Sequence, residues 1–249
     1  MKINALNINK TISEQNIQIY PVLIQVDNRN YLVDCGYEET FDELKSEMQR
    51  YGVEIDELSG VILTHDDHDH IGGLQFLKNE NSILKVYCGF YEKDSIAGLV
   101  KSERLIQAEN MLKYFPNEHQ KWGLEFINKL KSIERFDVDD TFIDGDIFEN
   151  EIKVIRTPGH TKGHISLFHT VSQTLITGDA LVIENDELNT ANPNYTLDLK
   201  QAIKSVEKIK ELNPKKVICY YGGSMESDID TKLSNLLNKY KYQSNIIFS

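Results

Sequence analysis

A chain of 249 residues, 40% hydrophobic and 27% charged with twelve tyrosines and ten phenylalanines, carries enough apolar material for a sizeable core and is far from the composition of a disordered chain. Its 27 Lys and Arg against 39 Asp and Glu leave a net charge of -12, a field that repels phosphate backbones and argues against nucleic acid as a partner. Cys35, Cys88 and Cys219 are odd in number and form no CxxC or CxxH pattern, the start lacks an apolar leader, and no run approaches the ~18 apolar residues of a membrane span. The expectation is a cytoplasmic protein without a membrane partner, folded as one domain over 1–249.

In chain order, "IQIYPVLIQV" (17–26) and "NYLVDCG" (30–36) read as strands joined by the turn-like "DNRN". A helix is expected next. Thr40 and Glu43 have capping-box spacing, Phe41, Leu44 and Met48 fall on one helical face, and Gly52 is placed to end it. The following run, "VILTHDDHDHIGGL" (61–74), packs three histidines and three aspartates into six positions between a strand and a glycine pair. A polar loop at a helix start would account for the aspartates through the helix dipole. It does not account for three histidines so close together, and imidazole with carboxylate donors suits zinc, iron or manganese.

Residues 90–135 turn helical, with apolar positions three and four apart and the aromatics Tyr91, Tyr114, Phe115, Trp122 and Phe126. "IKVIRTPGH" then ends at His160, "QTLITGD" at Asp179 and "KKVICYYGG" at Tyr221, as "LVDCG" had ended at Asp34 and "GVILTHD" at His65. Strands that finish in polar loops assemble a site from distant parts of a chain, so these ends are expected to converge. "LDLKQAIKSVEKIKELNP" is an amphipathic helix opening at Asp198 and closing before Pro214, and "NIIFS" at the end reads as a last strand. Alternating strands and helices imply α/β layers.

The run T-H-x-x-x-D-H-x-G-G resembles the signature of the metallo-β-lactamase superfamily, usually written H-x-H-x-D-H. Asp34, His160 in "TPGHTKGHISL" and Asp179 in "ITGDAL" follow in family order, so that the resemblance runs from about 30 to 223. It implies a four-layer αββα fold with a helical insertion near residues 90–135. It also implies two divalent ions, zinc first with iron or manganese as alternatives: His65, Asp67 and His160 on one ion, Asp69 and His70 on the other, and Asp179 bridging both. Asp67 stands where the family commonly has histidine, which is similar to the H-x-D-x-D-H hydrolases of lactonase and glyoxalase II type. Tyr221 stands where a histidine would complete the second ion's site, and a neutral phenol weakens that site; Tyr221 is read as a substrate-binding or outer hydrogen-bonding residue, with ligation as phenolate and no role at the site left open.

The implied activity is hydrolysis of a small ester, lactone or thioester: a hydroxide on the metals attacks a polarised carbonyl, with Asp69 as the catalytic residue that orients it and relays a proton. Within the family, acyl-homoserine lactonases carry a tyrosine three residues after the bridging aspartate, and Val182 is found there instead. The partner is then a small molecule, and aromatics in the insertion would suit an apolar acyl group, although they could equally pack the insertion's own helices. Two alternatives stay open, a non-catalytic or mononuclear ligand sensor of the same fold and a one-iron enzyme resembling persulfide dioxygenases. His68 is read as facing solvent or a neighbouring carboxylate, His164 as supporting the loop, and His119 and His169 as structural or exposed.

Overall fold

The structure, a computed structural model, describes residues 1–12 and 14–247. Two six-stranded mixed sheets lie face to face with helices outside them. In the first sheet, Arg29–Val33, Leu58–Leu63, Lys85–Gly89 and Asp140–Phe142 run parallel side by side. Parallel neighbours need crossover connections, and these are the helices Phe41–Arg50 and Leu74–Glu80 and then the insertion, with helices Lys93–Ile96, Glu103–Leu112 and Asn117–Ser132. In the second sheet, Ile152–Arg156, Ile165–His169 and Thr174–Ile176 form an antiparallel meander, and Thr174–Ile176 pairs parallel with Lys216–Cys219 across helix Leu199–Glu211.

Three apolar clusters define the layers. One, with Val22, Val33, Ile62, Val154, Leu167 and Ile218, fills the space between the sheets. A second joins the first sheet to Leu44, Met48, Leu74 and Leu77 of its helices, and a third joins the second sheet to Val206, Ile209, Leu233 and Leu236. Helix, sheet, sheet and helix are the four layers expected, because each strand buries both faces while each helix buries one stripe. Among the described residues no helix is long and apolar enough to cross a membrane.

The structure departs from the sequence reading in three places. The strand expected over 17–26 is two, Gln15–Ile19 and Val22–Val26, broken at Tyr20 and Pro21, where the proline has no N–H for a ladder. The Thr40 hydroxyl donates to the Tyr37 carbonyl at 3.0 Å and Glu43 pairs with Lys10, so no capping box forms. Of the expected closing strand, residues 245–247 belong instead to the helix Ile229–Ile247, whose Leu233, Leu236 and Leu237 pack on the second sheet, and the rest of "NIIFS" lies outside the described residues.

Candidate metal centre

Strand ends of both sheets meet at one place, as expected. Asp34 follows strand Arg29–Val33, His65 follows Leu58–Leu63, His160 follows Ile152–Arg156, Asp179 follows Thr174–Ile176 and Tyr221 follows Lys216–Cys219. Asp67 precedes a single helical turn, His68–Ile71, that carries Asp69 and His70. Gly73 explains the glycines after it, since a Cβ there would lie 2.2 Å from the Cys35 carbonyl oxygen. The loop can therefore fold back against "LVDCG" only without a side chain at that position.

Asp34 sets the orientation of two histidines. Its carboxylate accepts from the Thr64 N–H and hydroxyl, each at 2.8 Å, and lies 2.9 Å from His70 Nδ1. An ionised carboxylate only accepts, so His70 carries its hydrogen on Nδ1 there. The Thr64 hydroxyl has given its hydrogen to Asp34 and must accept at its 3.0 Å contact with His65 Nδ1. Both rings are thereby held with the Nε2 lone pair turned inward, as metal-bound histidines are held by an outer carboxylate. Asp34 itself has φ +59°, a left-handed conformation that Asp and Asn tolerate better than most residues.

Inside this frame, His65, Asp67 and His160 bring three ligand atoms together, and His65, His70 and Asp179 bring a second three, each set within 4.8 Å. All five residues are buried. His65 Nε2, His70 Nε2 and Asp179 Oδ1 make no hydrogen bond, although His70 Nε2 stands 3.3 Å from Asp179 Oδ1. Buried polar atoms without partners are rare in folded proteins and cost free energy. Nitrogen and carboxylate oxygen atoms left bare in this way fit a divalent cation. Without a cation, burial alone would lower the His70 pKa, but the Asp34, Asp179 and Asp69 carboxylates outweigh it and hold it well above the usual value. A proton and a metal would thus compete for the same atom.

Asp69 is held from the side. The Tyr221 hydroxyl donates to Asp69 Oδ2 and lies 3.2 Å from the Tyr37 hydroxyl, while the Tyr220 hydroxyl donates to the Asp69 backbone carbonyl. Burial and the Asp69 charge push the Tyr221 pKa well above its ordinary value, so the group is a neutral phenol that donates to the carboxylate. His164 is buried and its pKa falls well below the usual value through burial and the neighbouring His65 and His160. Its Nε2 accepts from the Asp179 N–H at 3.0 Å, so it positions the loop that carries Asp179. A Cβ on Gly178, at φ +52°, would lie 2.7 Å from that nitrogen.

Asp69, expected on the second ion, belongs to neither ligand set, although its Oδ2 stands 3.5 Å from His70 Nε2, and the remaining motif positions also lie outside the two sets. Asp66 is turned away, 3.7 Å from the Arg135 guanidinium. His68 stands against Asp69 Oδ1 at 3.3 Å and against the Tyr37 and Phe126 rings. His169 is buried between Glu151 and Ser172, and His119 is exposed.

Sequence reasoning missed Arg104. This residue of helix Glu103–Leu112 is 4% exposed, with Nε 3.1 Å from both Asp67 oxygens and Nη2 2.6 Å from Oδ2. Nη2 also approaches His160 Nε2 at 3.3 Å. A single arginine in an amphipathic helix reads as a surface charge, and no spacing rule ties it to a motif 37 residues earlier. Of the aromatics in the insertion, Trp122 and Phe126 line a cavity of about 540 Å³ together with Asp67, Asp69, His160, Asp179 and Tyr221. Phe115 stacks on Trp122, which stacks on Phe126. Tyr91 instead covers Arg156, and Tyr114 is 86% exposed. The insertion's own small core is Leu105, Ile127 and Leu130, and Phe126 packs against it while also lining the cavity.

The sequence profile of the metallo-beta-lactamase superfamily matches residues 16–221. The probable metallo-hydrolase YflN of Bacillus subtilis is 27% identical over 227 residues, covering 83% of this chain and 82% of the relative. The hydroxyacylglutathione hydrolase GloC of Haemophilus influenzae is 26% identical over 170 residues, 67% of this chain and 72% of its own. Among solved structures, a metallo-beta-lactamase family protein of Thermus thermophilus superposes with a TM-score of 0.69 at 19% identity, covering 96% of this chain and 79% of the other. The fold is the same, and the profile spans the strand ends that carry Asp34, His65, His160 and Asp179. The chain belongs to the metallo-β-lactamase superfamily.

Proposed function

We propose that this member is a metal-dependent hydrolase of a small ester, lactone or thioester with an apolar acyl group. The observation that carries the reading is the convergence of three buried ligand atoms without hydrogen bonds, His65 Nε2, His70 Nε2 and Asp179 Oδ1, next to a cavity lined by Asp69, Asp179, Trp122 and Phe126. A divalent ion held there would supply Lewis acidity and a water of lowered pKa. Zinc suits the nitrogen and oxygen donors, with iron or manganese as alternatives.

The chain's own residues then have separable tasks. Burial would raise the Asp69 pKa, but His70 and His68 beside it outweigh burial and keep it below the usual carboxylate range, so the group is ionised at neutral pH. Tyr221 occupies Asp69 Oδ2, and Oδ1, which stands 3.3 Å from His68 Nδ1 without a hydrogen bond to it, is the oxygen that would orient a water, take its proton and return it to the leaving group. The stacked Phe115, Trp122 and Phe126 offer an apolar wall to the acyl chain. A relative named as a hydroxyacylglutathione hydrolase supports an acyl compound as substrate. The test is a panel of aryl esters, lactones and thioesters of increasing acyl length, assayed with the metal-loaded protein. Turnover of at least one, favouring longer acyl groups, is expected, and turnover of none overturns the proposal.

A second reading, a one-iron oxygenase, is favoured by one observation: the bare atoms are two imidazoles and one carboxylate, a set that also suits non-haem iron. Iron in the purified protein and oxygen uptake with a persulfide would support it over hydrolysis.

A further inference from the structure

The two sets of ligand atoms are unequal. In the set His65, His70 and Asp179 the facing atoms lack hydrogen bonds. In the set His65, Asp67 and His160, Asp67 Oδ2 accepts from Arg104 and lies 3.1 Å from His160 Nε2, and that nitrogen has the Arg104 Nη2 within 3.3 Å. One set is open, and the other already has a cation on it.

We propose that Arg104 takes the place of one metal ion: the centre holds a single divalent cation between His65, His70 and Asp179, and the guanidinium of Arg104, seated on Asp67, is its second and permanent positive charge. The inference concerns occupancy of the centre and holds whether or not the hydrolase reading does.

Arg104 is fixed in place and does not behave as a mobile surface arginine. Its helix starts at Ser102, whose hydroxyl caps the Leu105 N–H, and the neighbouring Leu105 is buried in the insertion's core. Nη1 donates to Gln107, and the guanidinium lies 5.5 Å from the centre of the Tyr195 ring. A planar guanidinium meets a carboxylate through two N–H groups at once, and a lysine at this position could not reproduce that contact. Guanidinium does not lose its proton in proteins, so the charge on Asp67 stays neutralised at every working pH.

Asp67 in place of histidine also gains a reason, since histidine could not neutralise a guanidinium. Arg104 lines the main cavity and an adjoining one of about 310 Å³ that is walled by Met111, Phe115, Trp122 and Phe126. Nitrogen–hydrogen bonds not used by Asp67 and Gln107 can there receive a ligand's oxygen at the edge of the apolar wall.

The test is zinc stoichiometry and affinity by equilibrium dialysis and elemental analysis, with folding followed by circular dichroism. The full-length protein is expected to bind one zinc ion, and two would overturn the proposal. Arg104→Ala frees Asp67 and is expected to bind a second zinc at least tenfold more tightly than the unaltered protein does; folded Arg104→Ala that still binds one overturns it. Should Arg104→Ala fail to fold, Asp67→Asn decides. Affinity for the single ion should then fall less than tenfold, whereas a loss of tenfold or more would make Asp67 a metal ligand and overturn the proposal.

Discussion

Asp34→Asn is the sharpest perturbation of the frame behind the metal centre. Asparagine tolerates the φ of +59° found at this position, so the backbone is not disturbed, and its amide oxygen can still accept from the Thr64 N–H, now at 2.8 Å. The amide nitrogen then faces His70 Nδ1, which lies 2.9 Å from the carboxylate oxygen it replaces. Two donors cannot bond, so the His70 hydrogen moves to Nε2 and blocks the lone pair that would bind the ion. The same amide no longer accepts from the Thr64 hydroxyl, which frees that hydroxyl to donate to His65 Nδ1 and turns the second ring as well. Outer partners of metal-bound histidines are worth about 10- to 100-fold in metal affinity, or about 1.4–2.7 kcal/mol. Unfolding of the metal-free protein loses less, about 1–2 kcal/mol, because charge-assisted hydrogen bonds become neutral ones. A chelator-competition titration with zinc, paired with denaturant unfolding of metal-free protein, measures both. Zinc affinity unchanged within threefold would refute the assignment of Asp34 as the residue that orients His70 and His65.

Three further outcomes follow from the same geometry. Tyr221→Phe removes the hydroxyl that donates to Asp69 and leaves a buried carboxylate oxygen short of a donor, worth about 1–3 kcal/mol; kcat should fall about tenfold or more with metal content unchanged, and an unchanged kcat would remove Tyr221 from the mechanism. Trp122→Ala opens the wall shared by the two cavities; at about 0.8 kcal/mol per buried methylene, kcat/KM should drop about tenfold for an octanoyl ester and little for an acetyl ester, and equal losses would place the acyl chain elsewhere. Gly178→Ala sets a Cβ against His164 Nε2 and the Thr64 side chain at 2.7–2.9 Å with φ +52°; thermal unfolding should show at least ~2 kcal/mol of lost stability, and a wild-type Tm would show that the Asp179 loop relaxes freely.

The convergence of Asp34, His65, His160 and Asp179 was legible because each stands just past a short apolar strand, and His70 was legible from its place in the same histidine-rich turn as His65. The layers were legible for a similar reason, since period-two strands and period-3.6 helices bury different faces. Arg104 was not, because its partner Asp67 is near only after the insertion folds over the first sheet. Tyr37 was hidden in the same way, for its contact with Tyr221 spans 184 positions. Residues 245–247 misled because two isoleucines fit a strand as well as a helix end. The spacing of Ile229, Leu233, Leu236 and Leu237, which all pack on the second sheet, settles the matter in favour of a helix. Thr40 did not cap its helix because the preceding turn offered its hydroxyl the Tyr37 carbonyl first.

In the proposed function, His65, His70 and Asp179 hold a divalent ion on which hydrolysis depends. The most direct measurement is turnover of the responsive aryl ester, lactone or thioester by one preparation before chelation, after chelation and after stoichiometric zinc is restored. Activity lost with the ion and recovered with it is the predicted result. Activity that persists in protein shown by elemental analysis to be metal-free would mean that hydrolysis does not depend on the ion.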